Sequence, residues 1–444
     1  MSENKKKFTL KQRDRQILGI ALPSILSNIT VPLLGMVDVA IVGHIGNAAY
    51  IGAIAVGSMM FNLIYWILGF LRMGTSGMTS QALGRRDLTE VIRLLVRSAT
   101  VALCLALFLL VFQRPILSLL LLLIHPTTDV LPLASTYYNI CIWGAPAMLC
   151  LYTLSGWFIG MQNTRFPLFV AIVQNLVNIV ASLLMVFVLH WGLRGVALGT
   201  VIAQYSGLFL ALFVTVRYYG RLHSFFVGKG LLRYSEIKRF LAVNRDIFLR
   251  TLFLVSVNLC FTSIGARQGA VVLSVNTLLM QFLLLFSYVM DGFAYAGEAL
   301  AGRYHGAANH GAFMETVKRL MHWGLLMSSL FTIVYVFGAN HLVNLLTDDT
   351  VVRCAAEPYL PWAWIIPLLG VCAFVWDGIF IGITATRSML LSTFVSALCF
   401  FVVSWGLLPL WGNHALWLAM DLFLFVRGLV LLIVYFCRVR QRIG

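Results

Sequence analysis

The chain has 444 residues, of which 60% are hydrophobic and 11% are charged. A soluble domain carries about twice that charged fraction, so the composition excludes an ordinary soluble globular protein. Apolar runs of about 20 residues recur along the whole length, which is the pattern of membrane-spanning helices. The composition therefore predicts an all-α polytopic membrane protein.

The net charge of +16 raises nucleic-acid binding as an alternative. The basic residues, however, cluster in segments that lie between alternate apolar runs, as the positive-inside rule requires. These segments are short and contain no nucleic-acid recognition motif. We therefore expect no nucleic-acid partner and both termini in the cytoplasm. The basic clusters lie at 5–15, 85–97, 217–250, 303–319 and 438–442.

The apolar runs predict twelve spans, and a shorter run at 115–124 predicts an interfacial helix on the outer side. A basic segment at 221–245 has the pattern of an amphipathic helix at the cytoplasmic surface. It separates a six-helix lobe at 1–220 from another at 246–444. The predicted spans are 17–42, 51–74, 92–113, 131–157, 166–188, 193–217, 246–266, 271–299, 319–346, 358–383, 388–410 and 413–437.

A motif near the end of the fourth span recurs near the end of the tenth, at an offset of 222 residues. Gly156-Trp-Phe-Ile-Gly160 with Thr164-Arg165 corresponds to a segment that begins at Gly378 and ends at Arg387. Because each half contains an even number of spans, both halves enter the membrane from the same side. The sequence thus predicts two parallel repeats, as in several secondary transporters.

Asp38 lies in the middle of the first predicted span. A carboxylate at that depth costs a few kcal/mol at least, so it usually has a polar partner, a water cavity or a function. Pro23 and Pro32 lie in the same run, and each lacks a backbone donor and tends to kink its helix. The pattern favours Asp38 as a protonation switch beside a kinked helix.

Several motifs resemble those of multidrug and toxic compound extrusion (MATE) transporters. Gly35-Met-Val-Asp38-Val-Ala-Ile-Val-Gly43 is similar to their first helix. Asp291-Gly-Phe-Ala-Tyr-Ala-Gly-Glu298 and Asp377-Gly-Ile-Phe-Ile-Gly resemble the DinF-like branch. The resemblance covers essentially the whole chain.

The resemblance implies a V-shaped pair of six-helix lobes that alternate between outward-open and inward-open states. It also implies export of amphipathic, usually cationic compounds in exchange for protons or sodium, with Asp38 as the essential carboxylate of the N-terminal lobe. We expect a monomeric, multi-pass protein of the cytoplasmic (inner) membrane of a prokaryote, whose partners are small molecules and the lipid bilayer.

The fifth span contains Asn175 and Asn178, which share a helix face because they are three residues apart. Relatives of the DinF-like branch commonly carry an aspartate four residues after the second asparagine, where this chain has Ser182. We expect Asn175, Asn178 and Ser182 to form a polar cluster with Asp38, including a bond from Asn178 to Asp38. The resemblance adds Thr200, which matches a hydroxyl of the same cluster in relatives. Interhelical hydrogen bonding without a transport role is the alternative.

In the second half, Asp291 and Glu298 lie two turns apart on one face of the eighth span, and Asp377 lies deep in the tenth. These three are the candidates for that lobe, although Glu298 is near enough to the cytoplasmic end to be solvated or to pair with an arginine. Asp421 and Arg427 lie on different faces of the last span, which predicts partners on other helices.

The sequence contains no phosphate-binding loop, zinc-protease motif or nucleophile elbow, and its eight cysteines form no metal-binding pattern. We therefore expect neither an enzyme nor a cofactor. Protons are the preferred coupling ion; sodium, held by Asp38, Asn178 and Thr200, is the alternative. A lipid-linked precursor flippase is the second function considered. Such proteins carry more cationic residues in their central cavity, whereas only Arg72 and Arg427 lie near the span interiors.

Overall fold

A computed structural model describes residues 10–43, 48–226 and 233–439 of the chain. Every regular element in these ranges is a helix, so the predicted all-α class is confirmed. In the first half the helices are α1 (Leu10–Gly43), α2 (Ala48–Leu68), α3 (Phe70–Gly84), α4 (Leu88–Val111), α5 (Gln113–Ile124), α6 (Leu131–Cys141), α7 (Ala145–Gly160), α8 (Arg165–Leu183) and α9 (Gly192–Tyr219).

The second half repeats this all-helical organisation. Its helices are α10 (Tyr234–Arg267), α11 (Ala270–Gly306), α12 (His310–Leu346), α13 (Thr350–Ala356), α14 (Leu360–Gly382), α15 (Thr386–Trp411) and α16 (Asn413–Val434). The central segment predicted at 221–245 contains a short helical turn, Gly220–Phe225, and the first residues of α10. Residues 227–232 of that segment lie outside the described residues.

Eleven helical segments in the described ranges are long and apolar enough to cross a membrane. Three of them are composite, since α2 with α3, α6 with α7 and α13 with α14 each form one segment. The 34-residue α1, which contains the apolar run 17–42, is the twelfth long helix. The run predicted at 115–124 lies in α5, whose 12 residues are too few to span a bilayer.

The internal contacts divide the chain into two compact units. One comprises Leu26–Ile237, and the other comprises Met1–Ile25 together with Lys238–Gly444. The first turns of α1 therefore pack with helices of the second half, although α1 belongs to the first half by sequence. The remainder of α1 packs with the first half.

The backbone repeats at the same offset of 222 residues as the sequence motif. Each of three turns in the first half has a residue with positive φ, and its counterpart in the second half has positive φ as well. Helix capping repeats too, because the side chains of Asp87 and Asn309 cap α4 and α12. The equivalent positive-φ residues are Arg86 and Ala308, Gln162 and Thr384, and His190 and Gly412.

The glycines of the repeated motif allow close helix packing. A Cβ atom on Gly156 would come within 3.0 Å of the carbonyl oxygen of Arg72, and one on Gly378 would do the same at Ala294. These contacts join α7 to α3 and α14 to α11. Arg72 and Ala294 are themselves 222 residues apart, so both halves use the same backbone contact.

Gly378→Ala is expected to destabilise the protein by about 1–3 kcal/mol, because the added methyl group meets the rigid backbone of α11. Gly338 on α12 is the matched control, since nothing lies within 4 Å of the Cβ that alanine would add there. Gly338→Ala is expected to be neutral or to stabilise α12 by up to about 1 kcal/mol. Thermal unfolding of both variants in detergent checks the prediction, and equal Tm values would contradict it.

Candidate functional site

A polar cluster in the first unit joins α8 to α1 and to α9. Asn175 donates from Nδ2 to the carbonyl oxygen of Thr30 on α1 (3.3 Å). Asn178 donates from Nδ2 to the hydroxyl oxygen of Thr200 on α9 (3.1 Å), and this hydroxyl donates to the carbonyl oxygen of Val196 (3.1 Å). The structure therefore joins Asn178 to Thr200 on α9, and it joins Asn175 to α1 by a separate hydrogen bond from the same helix.

Two buried acceptors of this cluster have no partner among the described residues. They are Oδ1 of Asn178, a residue that is 1% exposed, and Oγ of Ser182, a residue that is fully buried. The two residues are four apart and share one face of α8. Gly199 on α9 packs directly against Ser182, since a Cβ on Gly199 would come within 3.0 Å of its hydroxyl oxygen. The cluster thus retains capacity to accept hydrogen bonds.

Asp38 belongs to α1 by its backbone, but its side chain lies outside the described residues. The predicted bond from Asn178 to Asp38 therefore lies outside them as well. Helix α1 continues from Leu10 to Gly43 through both Pro23 and Pro32. The contact of Thr30 with Asn175 shows that α1 meets α8 eight residues before Asp38.

The second unit contains a buried ionic cluster, in which Asp377 on α14 meets two guanidinium groups. Oδ2 of Asp377 accepts a hydrogen bond from Nη2 of Arg250, and Nη2 of Arg427 lies 3.8 Å from the same oxygen. Arg250, Asp377 and Arg427 are only 5%, 7% and 5% exposed. The guanidinium group of Arg427 also lies over the rings of Phe374 and Phe423. The carboxylate of Asp377 is thus already neutralised by protein charges.

Sequence reasoning missed Arg250, because it assigned this residue to the basic connection at 217–250. The signal was present, since Arg250 also lies inside the predicted span 246–266 and one helical turn after Asp246. In the structure α10 runs through both residues, and Asp246 is bound by Arg245 and Thr386 instead. The expectation that Arg427 pairs with another helix is confirmed, because its partner is on α14.

The other second-half candidates lie on α11. Asp291 is half-buried and close enough to Arg427 for their charges to interact. Glu298 is only 1% exposed, and its backbone carbonyl packs against Gly382 of the repeated motif. Simple solvation of Glu298, one of the alternatives considered for it, is wrong because α11 and α14 pack too closely there.

An ionic contact fixes the beginning of α1 to α12. Arg13 is ion-paired with Glu315 and donates from Nη1 to the carbonyl oxygen of Ala312 (3.1 Å). Asp14 accepts two hydrogen bonds from the guanidinium group of Arg319 and one from Trp323 Nε1 (3.0 Å). The sequence pattern indicated only a basic, membrane-flanking head here, whereas the structure makes these residues part of the second unit.

Asp14 precedes the apolar run of α1, and its hydrogen bonds with Arg319 lower the pKa of its carboxyl group. A carboxyl group whose pKa is lower in the folded state contributes stability above its unfolded pKa of about 4, and that contribution disappears as pH falls through the folded pKa. Asp14→Asn is therefore expected to lower the Tm at pH 7 by an amount equivalent to about 0.2–1 kcal/mol. The Tm values of parent and variant, measured as a function of pH, should converge in acid. A constant difference down to pH 3 would show that the lost stability does not come from the ionised Asp14 carboxylate.

Comparison with known proteins matches both halves of the chain to one family profile. The MatE family profile matches residues 23–184 and 247–405. DNA damage-inducible protein F of Escherichia coli is 38% identical over 432 residues, which cover 96% of this chain and 93% of that protein. The multidrug and toxin extrusion protein 1 of Homo sapiens is 28% identical over 337 residues, covering 72% of this chain and 55% of that protein.

Solved structures agree in fold at low sequence identity. The Vibrio cholerae MATE transporter VcmN in its bent form has a TM-score of 0.84 at 17% identity, with 98% of this chain and 99% of that chain covered. A MOP superfamily transporter of Pyrococcus furiosus, described as having a binding pocket of reverse polarity, has a TM-score of 0.84 at 16% identity, with 97% and 96% covered. The matches in both halves and over nearly the full length lead to one conclusion: this chain belongs to the MatE family and is a multi-pass membrane transporter, not an enzyme.

Proposed function

We propose that the chain is a proton-driven antiporter that exports amphipathic, cationic small molecules by alternating access. The relatives include proteins named for multidrug resistance and toxin extrusion, which supports this substrate class. The observation that carries the proposal is the pair of buried, unpartnered acceptors on α8, at the depth where α1 carries Asp38. A bacterial inner membrane with both termini in the cytoplasm is the setting we propose, supported by the Escherichia coli relative.

The depth of Asp38 follows from the helix register. Thr30 on α1 contacts Asn175 on α8. These helices form the first and the fifth span, so the chain reverses direction four times between them and both cross the membrane in the same direction. Eight residues further along each helix are Asp38 and Leu183. The backbone of Asp38 thus lies level with Leu183, next to Ser182 on α8.

The unpartnered acceptors favour the proton as coupling ion. A carboxylate can only accept hydrogen bonds, whereas a protonated carboxyl group gains one donor. Protonated Asp38 can therefore donate to Asn178 Oδ1 or Ser182 Oγ, and that bond is lost on deprotonation. A sodium ion needs several oxygen ligands, and the Thr200 hydroxyl already accepts from Asn178 and donates to Val196. This engagement weakens the sodium alternative at Asp38, Asn178 and Thr200.

The second unit supports assigning the coupling role to Asp38. A cation that approached Asp377 would compete with Arg250 and Arg427, which already neutralise that carboxylate. Displacing either group would leave a buried, unpaired guanidinium, which is costly. We therefore propose that Asp377 organises the second half and that the exchanged proton binds Asp38, with Asn175, Asn178, Ser182 and Thr200 as its surroundings.

Arg250 is the observation that favours the alternative, a flippase for lipid-linked precursors. With it the described residues of the second half include two buried arginines, Arg250 and Arg427, and guanidinium groups bind phosphates well. Both of them, however, are directed at Asp377, and Arg427 also interacts with the charge of Asp291, so two carboxylates offset the two guanidinium groups. The antiporter remains the function that the site supports best.

Proteoliposomes that contain the purified protein test the proposal. Uptake of the fluorescent cation ethidium is measured under an imposed proton gradient and, separately, under a sodium gradient. The proposal expects uptake with the proton gradient alone. Uptake that follows only the sodium gradient would overturn proton coupling, and absence of ethidium transport combined with translocation of a fluorescent polyprenyl pyrophosphate would favour the flippase.

A further inference from the structure

Asp421 on α16 is a buried carboxyl group that the proposed mechanism does not use. The residue is 2% exposed, and neither of its carboxyl oxygens has a hydrogen-bond partner among the described residues. No ion pair of the described residues includes it. An ionised carboxylate without partners is strongly disfavoured in such surroundings, whereas a neutral carboxyl group is tolerated much better.

The internal repeat relates Asp421 to the polar cluster of the first half. At the offset of 222, Asp421 corresponds to Gly199, which packs against Ser182, and Ser404 on α15 corresponds to Ser182. The repeat thereby relates the packing of α16 on α15 to that of α9 on α8. The Ser404 hydroxyl donates to the carbonyl oxygen of Phe401 (3.2 Å), so its oxygen retains capacity to accept. In each half, therefore, the same helix pair encloses buried polar groups.

The charged groups around α16 are engaged elsewhere. Arg427 is bound at Asp377 and lies six residues, about 9 Å along the helix, from Asp421. His414, seven residues away in the other direction, accepts a hydrogen bond from Trp362 Nε1 (3.0 Å). The other ionisable side chains on α14 and α15 are Cys372, Arg387 and Cys399. Helix α10, whose Phe261 contacts Trp417, adds Arg250 and Cys260, and α11, whose Asn276 hydrogen-bonds with Asn413 and Trp417, adds Asp291. No hydrogen bond or ion pair of the described residues joins any of them to Asp421.

We propose that Asp421 is a second proton-binding site, located in the C-terminal half, and that it carries its proton in the conformation described here. Its participation in transport rests on the proposed proton antiport; its protonation does not. Each half then holds one carboxyl group for exchange, Asp38 in the first and Asp421 in the second. A proton taken up by Asp421 from one side and released to the other adds one proton to each transport cycle.

Infrared difference spectroscopy of the purified protein in lipid tests the protonation directly. The C=O stretch of a protonated carboxyl group, which shifts in D₂O, is expected in the parent at neutral pH and is expected to be missing in Asp421→Asn. Asp349→Asn is the matched control, because Asp349 caps α13 in exposed surroundings and should contribute no such band. An unchanged band in Asp421→Asn would overturn the proposal.

Three further measurements distinguish a wrong assignment of Asp421 from a folding defect of the variant and from a failure of the proton-antiport proposal. Asparagine has nearly the shape of a neutral aspartic acid, so the Tm of Asp421→Asn should equal that of the parent; a large drop would show an ionised, paired carboxylate and contradict the proposal. Asp421→Glu should keep a shifted carboxyl band. In proteoliposomes the number of protons exchanged per ethidium should fall in Asp421→Asn. An unchanged ratio would show that Asp421 carries no proton during transport, even if proton antiport itself is confirmed.

Discussion

Asp377→Ala is expected to remove about 3–5 kcal/mol of folding stability, because it leaves the guanidinium groups of Arg250 and Arg427 buried and without their carboxylate. The two like charges then face each other with little solvent to screen them. The expected result is a large decrease in Tm in detergent, larger than that of Gly378→Ala, which introduces a steric clash but no buried, unpaired charge.

Two controls show whether the loss comes from the buried charges. Asp348→Ala removes an ion pair with Arg353 at a fully exposed aspartate, where such pairs contribute about 0–1 kcal/mol. A triple variant that replaces Arg250 and Arg427 by methionine and Asp377 by leucine removes all three charges, and it should recover most of the lost stability. If Asp377→Ala and Asp348→Ala have the same Tm, the buried ionic cluster around Asp377 does not stabilise the second half in the way described.

Asp38→Asn is expected to abolish proton-driven ethidium uptake, reducing it to the level of liposomes without protein. Asparagine retains the size of the side chain and its hydrogen-bonding capacity but cannot exchange a proton. Binding of ethidium to the variant, measured by fluorescence, is expected to become insensitive to pH, whereas the parent should lose bound cation as the pH falls.

Asp129→Asn is the matched control, since Asp129 is an exposed loop residue, and full uptake is expected from it. Asn178→Ala tests the surroundings of Asp38 by removing one of the two unpartnered acceptors. The loss of a buried hydrogen bond of this kind costs about 1–3 kcal/mol. A reduced but pH-sensitive transport rate is therefore expected. Full proton-driven uptake by Asp38→Asn would refute the assignment of the coupling residue.

The membrane spans, the parallel repeat and the polar face of α8 follow from local patterns in the sequence. Hydropathy identifies each span. A segment that crosses the bilayer must form a helix, because no water satisfies its backbone groups there, and that helix must be apolar along its length. The repeated motif can be recognised in the sequence because its glycines pack against equivalent backbone positions in both halves, Gly156 against Arg72 and Gly378 against Ala294.

The partners of the buried charges do not follow from such patterns. Arg250 and Asp377 are 127 residues apart, and Asp14 and Arg319 are 305 apart, so only tertiary packing joins them. The basic head at 5–15 fits the positive-inside rule whether or not Arg13 is buried. The rule therefore gives no indication that Arg13 contacts α12. The partition of α1 between both units depends on these long-range contacts as well.

The pH inside proteoliposomes, recorded after ethidium is added outside without any imposed ion gradient and without sodium, tests the central claim most directly. An antiporter that exchanges a proton at Asp38 must release protons as the cation enters, so the interior should become alkaline in the parent and stay unchanged in Asp38→Asn. Ethidium entry without alkalinisation in the parent, or equal alkalinisation in both proteins, would contradict the account.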